Sequence, residues 1–362
     1  MEQRIKERYN EAILQEAMQR YGIAEDQIRL LDGFESYMFE FERVSGVYIL
    51  RLGHSFRRTE ALIQAEVDWI NYLAVGGASV ARAVLSEARN LIEVIDDGRG
   101  ESFLASAFVR APGRPPWEAG WSPRLYQTYG QLLGRMHALS KRYVPSNPVW
   151  QRPHWDDAIM LDVERHLPAS EGLILERFRT LMSYLEAFPR DHESYGLVHF
   201  DAHGGNLLID DTGTITLFDF DDCSYSWFAN DIAIVLFYMI VNREDAPALT
   251  QEFMSYFLQG YRRENRLDPA WLKEIPHFLK LREIDLYAVI YRSFDLESTE
   301  DRFVAHYMPG RKERIEGEVP VILDVANRIM GKPKDSVELN VTRPMAEATL
   351  EDLLAVLRLK RG

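Results

Sequence analysis

Apolar residues recur along this chain in two different rhythms, and the change between them divides it. In "AILQEAMQRYGI", Ile13, Leu14, Ala17 and Met18 fall at helical spacing, which predicts a helix within residues 1–25. After Gly33 the rhythm becomes that of strands. "SYMFEFERVSGVYILRLG" holds two β-rich runs around Ser45 and Gly46, a hairpin signal. In "RTEALIQAEVDWINYLAVGG", Leu62, Ile63, Val67, Ile70 and Leu73 share a helical face, and Gly76 with Gly77 supplies a stop. Strands return in "NLIEVIDD" and "ESFLASAFV", joined by a turn at Gly98 and Gly100. Residues 110–123, "RAPGRPPWEAGWSP", are dense in Pro and Gly and break regular structure. Beyond them the pattern is mostly helical, from "RLYQTYGQLLGRMHALS" to an amphipathic tail helix in "MAEATLEDLLAVLRLKRG". The exception is one β-hairpin between Asn206 and Asp219, turning at "DDTG".

The pattern predicts an α+β chain in two parts: a small strand-rich N-terminal lobe over residues 1–109 and a larger, mostly helical lobe over 124–362. Residues 110–123 form the hinge and linker. A length of 362 residues with 46% hydrophobic content can bury two such cores. Charged residues at 27% and aromatics at 12% belong to an ordinary globular protein. The net charge of −14 argues against a nucleic-acid partner, and is compatible with a cationic small substrate or with solubility alone. The single cysteine, Cys223, permits no intramolecular disulfide and suits a reducing cytoplasm. The start, "MEQRIKERYNEAI", lacks the apolar core of a signal peptide. The apolar run at residues 232–241 is about half the length a bilayer requires, so it reads as a buried helix and predicts no membrane partner. Oligomeric state is not legible.

Between the apolar runs "YGLV" and "LLI" lies "HFDAHGGN", with more polar residues than a turn needs. Asp201 and Asn206 lead into one hairpin strand, and Asp219, Asp221 and Asp222 end the other. Paired strands lie about 4.8 Å apart, so Asn206 and Asp219 can reach one ion between them. Oxygen ligands suit a hard cation such as magnesium. Asp201 can orient a hydroxyl and take its proton. A base, an amide and a carboxylate around magnesium form a kit for phosphoryl transfer. Helix capping is the plain structural alternative. A superficial similarity to binuclear manganese ureohydrolases, in "FDAH" and "FDFDD", is weakened by Gly205, which stands where those enzymes place a carboxylate.

The segment "LVHFDAHGGNLLIDDTGTITLFDFDDCSYSWFANDIA" resembles the catalytic segment of the aminoglycoside phosphotransferase and choline kinase family. The resemblance implies a bilobal protein-kinase-like fold with ATP between the lobes. It makes Asp201 the base and Asn206 and Asp219 the magnesium ligands, with Asp221 a weaker candidate for a second ion. His199 and His203 would support the loop, and Asp231 would brace it from the following helix, where it also suits an N-cap. Phe200 stands where the family often has Gly. A kinase-like lobe also needs a strand cation for the phosphates and a helical Glu to orient it; Arg51 and Glu66 fit. The phosphate loop would be "DGFESYMF", with Gly33 and Ser36, and adenine would meet backbone near Ala107 and Val109. His137 reads as structural. No Gly-x-x-x-x-Gly-Lys-[Ser/Thr] segment is present.

The expected activity is ATP- and magnesium-dependent transfer of the γ-phosphate to a hydroxyl of a small, amine-bearing molecule, such as an aminoglycoside, choline or homoserine-like acceptor. Candidate acceptor residues are Asp222, Trp227, Asp285, Tyr287 and Tyr291, whose acidic and aromatic character suits a cation, although the two tyrosines also fit a core at i, i+4 spacing. The alternatives are a stress-response-type protein Ser/Thr kinase and a non-catalytic ATP-binding scaffold.

Overall fold

The computed structural model describes residues 2–31, 33, 35–296 and 301–322. The expected leading helix is two pieces, α1 (Gln3–Lys6) and α2 (Glu11–Tyr21), the second closed by Gly22 in the left-handed conformation. The next strand, β1 (Ile28–Leu31), has no counterpart in the sequence reading. It is four residues long with two of them exposed, too short to establish an alternation. Then follow β2 (Tyr37–Arg43), β3 (Gly46–His54) and α3 (Glu60–Val75), whose start Thr59 caps by accepting from the Leu62 N–H. Strands β4 (Ala83–Val84), β5 (Ile92–Asp96) and β6 (Ser102–Val109) complete an antiparallel sheet in the order β1-β2-β3-β6-β4, with β5 also on β6. One face buries Phe39, Phe41, Leu50 and Leu52 against Ile13, Ala17 and Tyr21 of α2.

After α4 (Pro116–Ala119) comes α5 (Pro123–Ser140), started by Ser122. The helical lobe continues through α6 (Val163–His166) and α7 (Gly172–Glu186), then β7 (Tyr195–Val198), the hairpin β8 (Leu207–Ile209) and β9 (Ile215–Leu217), and β10 (Ser224–Trp227). It ends with α8 (Phe228–Ile240), α9 (Ala246–Tyr261), α10 (Pro269–Leu272), α11 (Ile275–Ser293), α12 (Arg302–Tyr307) and α13 (Arg311–Glu316). The antiparallel pair β7–β10 is a second departure from the sequence reading; its four-residue strands are too short for periodicity to separate from the flanking helix. The expected tail helix lies outside the described residues. No helix among the described residues is long and apolar enough to cross a membrane.

Two features fix the hairpin that carries the polar residues. Its outer strand bonds to the chain between α3 and β4, where Ala81 N–H donates to Leu217 O and Leu217 N–H to Ser79 O, at 2.8 and 3.1 Å. Its other strand exchanges hydrogen bonds with Arg114, which follows β6. Helices α5 and α9 meet through glycines: a Cβ on Gly130 would lie 1.9 Å from Phe257 O, with backbone rather than a movable side chain in the way. Gly130→Ala is therefore expected to lower stability by about 1–3 kcal/mol through forced separation of the helices, read as a fall in the unfolding midpoint.

Candidate active site

The loop after β7 turns sharply enough to put Phe200 at φ 67°, a left-handed conformation that a bulky side chain rarely adopts. That explains why glycine suits this position, and shows that Phe200 affects the backbone as well as the packing. Asp231, at the start of α8, holds the turn: one carboxylate oxygen accepts from Phe200 N–H at 2.9 Å, the other from His199 N–H at 3.3 Å and His137 Nε2 at 3.0 Å. His137 in turn meets the Tyr261 hydroxyl at 2.9 Å through Nδ1. Asp231→Ala would strand two backbone donors and an imidazole in the core. We expect a loss of roughly 2–5 kcal/mol, measured by denaturant or thermal unfolding.

The strained loop delivers Asp201 between four partners. Arg282 Nη2 donates to Oδ1 at 2.5 Å; Asn206 Nδ2 donates to Oδ2 at 3.0 Å and to the Asp201 carbonyl at 2.9 Å. His203 Nε2 lies 3.3 Å from Oδ2, and the His199 ring accepts the Asp201 N–H. Burial would raise this carboxyl, but His203 and Arg282 outweigh it and hold it at about 2, so Asp201 is ionised throughout the neutral range. A carboxylate has about four lone-pair sites, so these contacts leave acceptor capacity for a substrate hydroxyl. His199 spans to the hairpin through Phe218 O at 3.1 Å, and His203 caps the next turn by accepting from Gly205 N–H at 2.8 Å.

Because the Asn206 amide nitrogen is committed to Asp201, its oxygen is left for another partner. Phe218 N–H donates to the main-chain carbonyl of Asn206 at 2.9 Å, which sets Asp219 just beyond the strand pair. Asp219 opens to the cleft, yet loss of hydration and then the carboxylates of Asp221 and Asp222 push its carboxyl up to about 7, against the pull of Arg51. A divalent cation would relieve that repulsion, so the donor set fits a hard metal. Among the described residues no three His, Cys, Asp or Glu side chains converge on a metal position. Phosphate oxygens and water would complete the coordination, as is usual for magnesium.

Asp221 is placed differently from the second-ion role the sequence suggested. It pairs with Arg57 and with Arg58, the latter at 3.2 Å. Burial pushes its carboxyl up, but the two guanidiniums overcome this and hold it well below the usual range. Arg152 fastens the same turn, donating to the carbonyls of Asp221 and Cys223 at 2.5 and 2.7 Å.

In the small lobe Arg51 and Glu66 form a buried two-bond pair at 2.8 and 2.7 Å, and the Arg51 guanidinium lies over the Phe108 ring. Gly33 is described, with Asp32 and Phe34 outside the described residues; a Cβ on Gly33 would stand 2.1 Å from Ser36 O, so this turn closes only on glycine. The adenine contact expected at Ala107 and Val109 meets an obstacle. Val109 N–H already donates to Arg82 O at 2.9 Å, and Ala107 lies between β3 and β4 in the sheet.

The proposed acceptor residues do not all meet. Asp222 faces the cleft, paired with Arg58 at 2.8 Å and 45% exposed at its side chain. Asp285 accepts from Arg282 Nη1 at 2.7 Å, which ties it to Asp201 through one guanidinium. Trp227 is instead fully buried among Trp155, Phe188 and Phe278, its indole N–H on Pro189 O. Tyr287 and Tyr291 bond Glu171 at 3.3 and 3.1 Å. At 100° per residue they fall on the side of α11 away from Arg282 and Asp285. Sequence reasoning missed Arg57, Arg58, Arg282 and Tyr238, whose hydroxyl accepts from Arg282 at 2.6 Å. The spacing of Arg282 three residues before Asp285 was the available signal.

A two-lobed fold with two carboxylates and an amide, Asp201, Asp219 and Asn206, at the cleft fits a kinase-type phosphotransferase. The chain belongs to the phosphotransferase enzyme family, whose model matches residues 26–267. This replaces the manganese-hydrolase reading. It is similar to amicoumacin kinase of Bacillus subtilis (strain 168), 38% identical over 86% of this chain and 94% of that protein. Among solved structures it resembles amicoumacin kinase hAmiN in complex with AMP-PNP, Ca2+ and Ami, at TM-score 0.85 and 38% identity, over 89% of this chain and 98% of that one. The microcompartment-associated aminopropanol kinase shares the fold, at TM-score 0.67 and 24% identity, over 84% of this chain and all of that one (100%).

Proposed function

We propose that this enzyme transfers the γ-phosphate of ATP to a hydroxyl of a small, amine-bearing acceptor of the amicoumacin type, in the cytoplasm. The observation that carries the reading is Asp201, hydrogen-bonded to Asn206 with acceptor capacity to spare, in a chain 38% identical to amicoumacin kinase over most of its length. Asp201 Oδ1 or Oδ2 orients the acceptor hydroxyl and takes its proton as the new O–P bond forms and the bond from the γ-phosphorus to the β,γ-bridging oxygen breaks, releasing ADP. Arg51, set by Glu66, holds phosphate oxygens. Asn206 and Asp219 would hold magnesium, which when bound neutralises phosphate charge. Residues 110–123 are the proposed division between the nucleotide lobe and the acceptor lobe. Asp222 and Asp285 supply carboxylates on the acceptor side.

The test is ADP release with ATP and magnesium across a panel containing amicoumacin, aminoglycosides, choline, homoserine and amino alcohols. Turnover with amicoumacin well above the others supports the reading. Labelling of proteins in a lysate, with no small molecule consumed, would favour the protein-kinase alternative.

A further inference from the structure

Helix α8 meets the catalytic loop at two places. Asp231, in its first turn, holds the main chain at His199 and Phe200. Tyr238 follows about two turns further along the same face, and it stands behind the Asp201 carboxylate. Its ring packs against the His203 imidazole with centroids 4.6 Å apart, and His203 Nε2 lies 3.3 Å from Asp201 Oδ2. Its hydroxyl accepts from Arg282 Nε at 3.2 Å and from Nη2 at 2.6 Å, and the same Nη2 donates to Asp201 Oδ1. One side chain thus backs a partner of each carboxylate oxygen.

Arg282 needs this support. It reaches the loop from α11 on a long side chain, and its guanidinium is a rigid plane, so fixing two edges decides where the third points. Asp285 accepts from Nη1 at 2.7 Å, a single bond about which the plane can still turn. The two contacts of Nε and Nη2 with the Tyr238 hydroxyl stop that rotation, and the ring adds a face, with Arg282 Cζ 5.2 Å from its centroid. The acceptor is also neutral, so it holds the guanidinium without adding a third negative charge beside Asp201 and Asp285. With Arg282 fixed on Oδ1 and Asn206 Nδ2 on Oδ2 at 3.0 Å, the Asp201 carboxylate has one orientation. That orientation aims the lone pairs left for an acceptor hydroxyl.

We propose that Tyr238 is a positioning residue for phosphoryl transfer: its hydroxyl aims the Arg282 guanidinium, which in turn aims the Asp201 carboxylate at the acceptor. The inference rests on Asp201 as the base of the reaction, and adds to that reading a side chain that acts through another rather than on nucleotide or acceptor.

Tyr238→Phe tests it, because phenylalanine keeps the ring against His203 and Arg282 and removes only the oxygen. The single-turnover rate of amicoumacin phosphorylation, with saturating ATP and magnesium, should fall by about threefold or more, while the KM values of amicoumacin and ATP stay within about twofold. A smaller fall overturns the proposal. So does a raised KM for amicoumacin at an unchanged rate, which would put the hydroxyl on the acceptor itself. In an Arg282→Leu background no guanidinium remains to be aimed, so the same substitution should cost nothing further. The full loss repeated there overturns the route through Arg282; Arg282→Gln serves as the background if the leucine variant does not fold. A crystal structure of Tyr238→Phe decides without any turnover: Arg282 turned away from Asp201 Oδ1 supports the proposal, and Arg282 still seated on it overturns it. A wild type that leaves amicoumacin unmodified overturns the acceptor reading instead, a distinct result.

Discussion

Asp201→Asn should reduce phosphoryl transfer by roughly 10²–10⁴-fold while leaving nucleotide affinity within about twofold. The amide keeps the size of the carboxylate but cannot take a proton, and one of its two terminal atoms becomes a donor. Arg282 and Asn206 both donate to the native carboxylate, so the amide cannot satisfy both. Part of the loss therefore comes from a displaced loop. Arg282→Gln should separate the two effects: it removes the guanidinium and leaves the base, so kcat should fall less than in Asp201→Asn. Equal turnover in Asp201→Asn and wild type would remove Asp201 from the chemistry.

Glu66→Ala should give a large stability effect, of the same order as Asp231→Ala. Glu66 is fully buried and takes both terminal nitrogens of Arg51, itself only 6% exposed. Removing one partner of such a pair leaves a buried charge uncompensated, at a cost of about 3–5 kcal/mol. Arg51 would also be free to swing away from the phosphates, so the KM for ATP should rise as the unfolding midpoint falls. Glu66→Gln, which keeps the shape and one acceptor, should lie between. An unchanged midpoint in Glu66→Ala would show that the pair contributes nothing to the fold.

The parts legible in the sequence were those with strong local grammar. Helix α3 announced itself through a repeated apolar face and a glycine stop, and the β8–β9 hairpin through its turn. Asp201, Asn206 and Asp219 lie close along the chain, so spacing brought them together. The partners supplied from a distance were not legible. Arg282 is 81 residues from Asp201, and Arg57 is 164 from Asp221. Nothing local distinguishes such arginines from surface ones; only the packing of α11 and the β3–α3 turn against the loop makes them part of the site. Trp227 failed for the converse reason. It stands next to the polar segment in sequence, but β10 pairs with β7 and carries it into the core. Tyr287 and Tyr291 share a helix with Asp285 but not a face. The raised carboxyl of Asp219 and the strained Phe200 follow from three-dimensional crowding, which no one-dimensional pattern records.

The most direct test of the central claim is phosphorus NMR of amicoumacin after incubation with ATP, magnesium and enzyme. The account predicts a new phosphoester signal on the acceptor together with ADP, present with wild type and absent with Asp201→Asn. Inorganic phosphate and ADP with an unmodified acceptor, or a phosphoester formed equally by the Asp201→Asn variant, would contradict it.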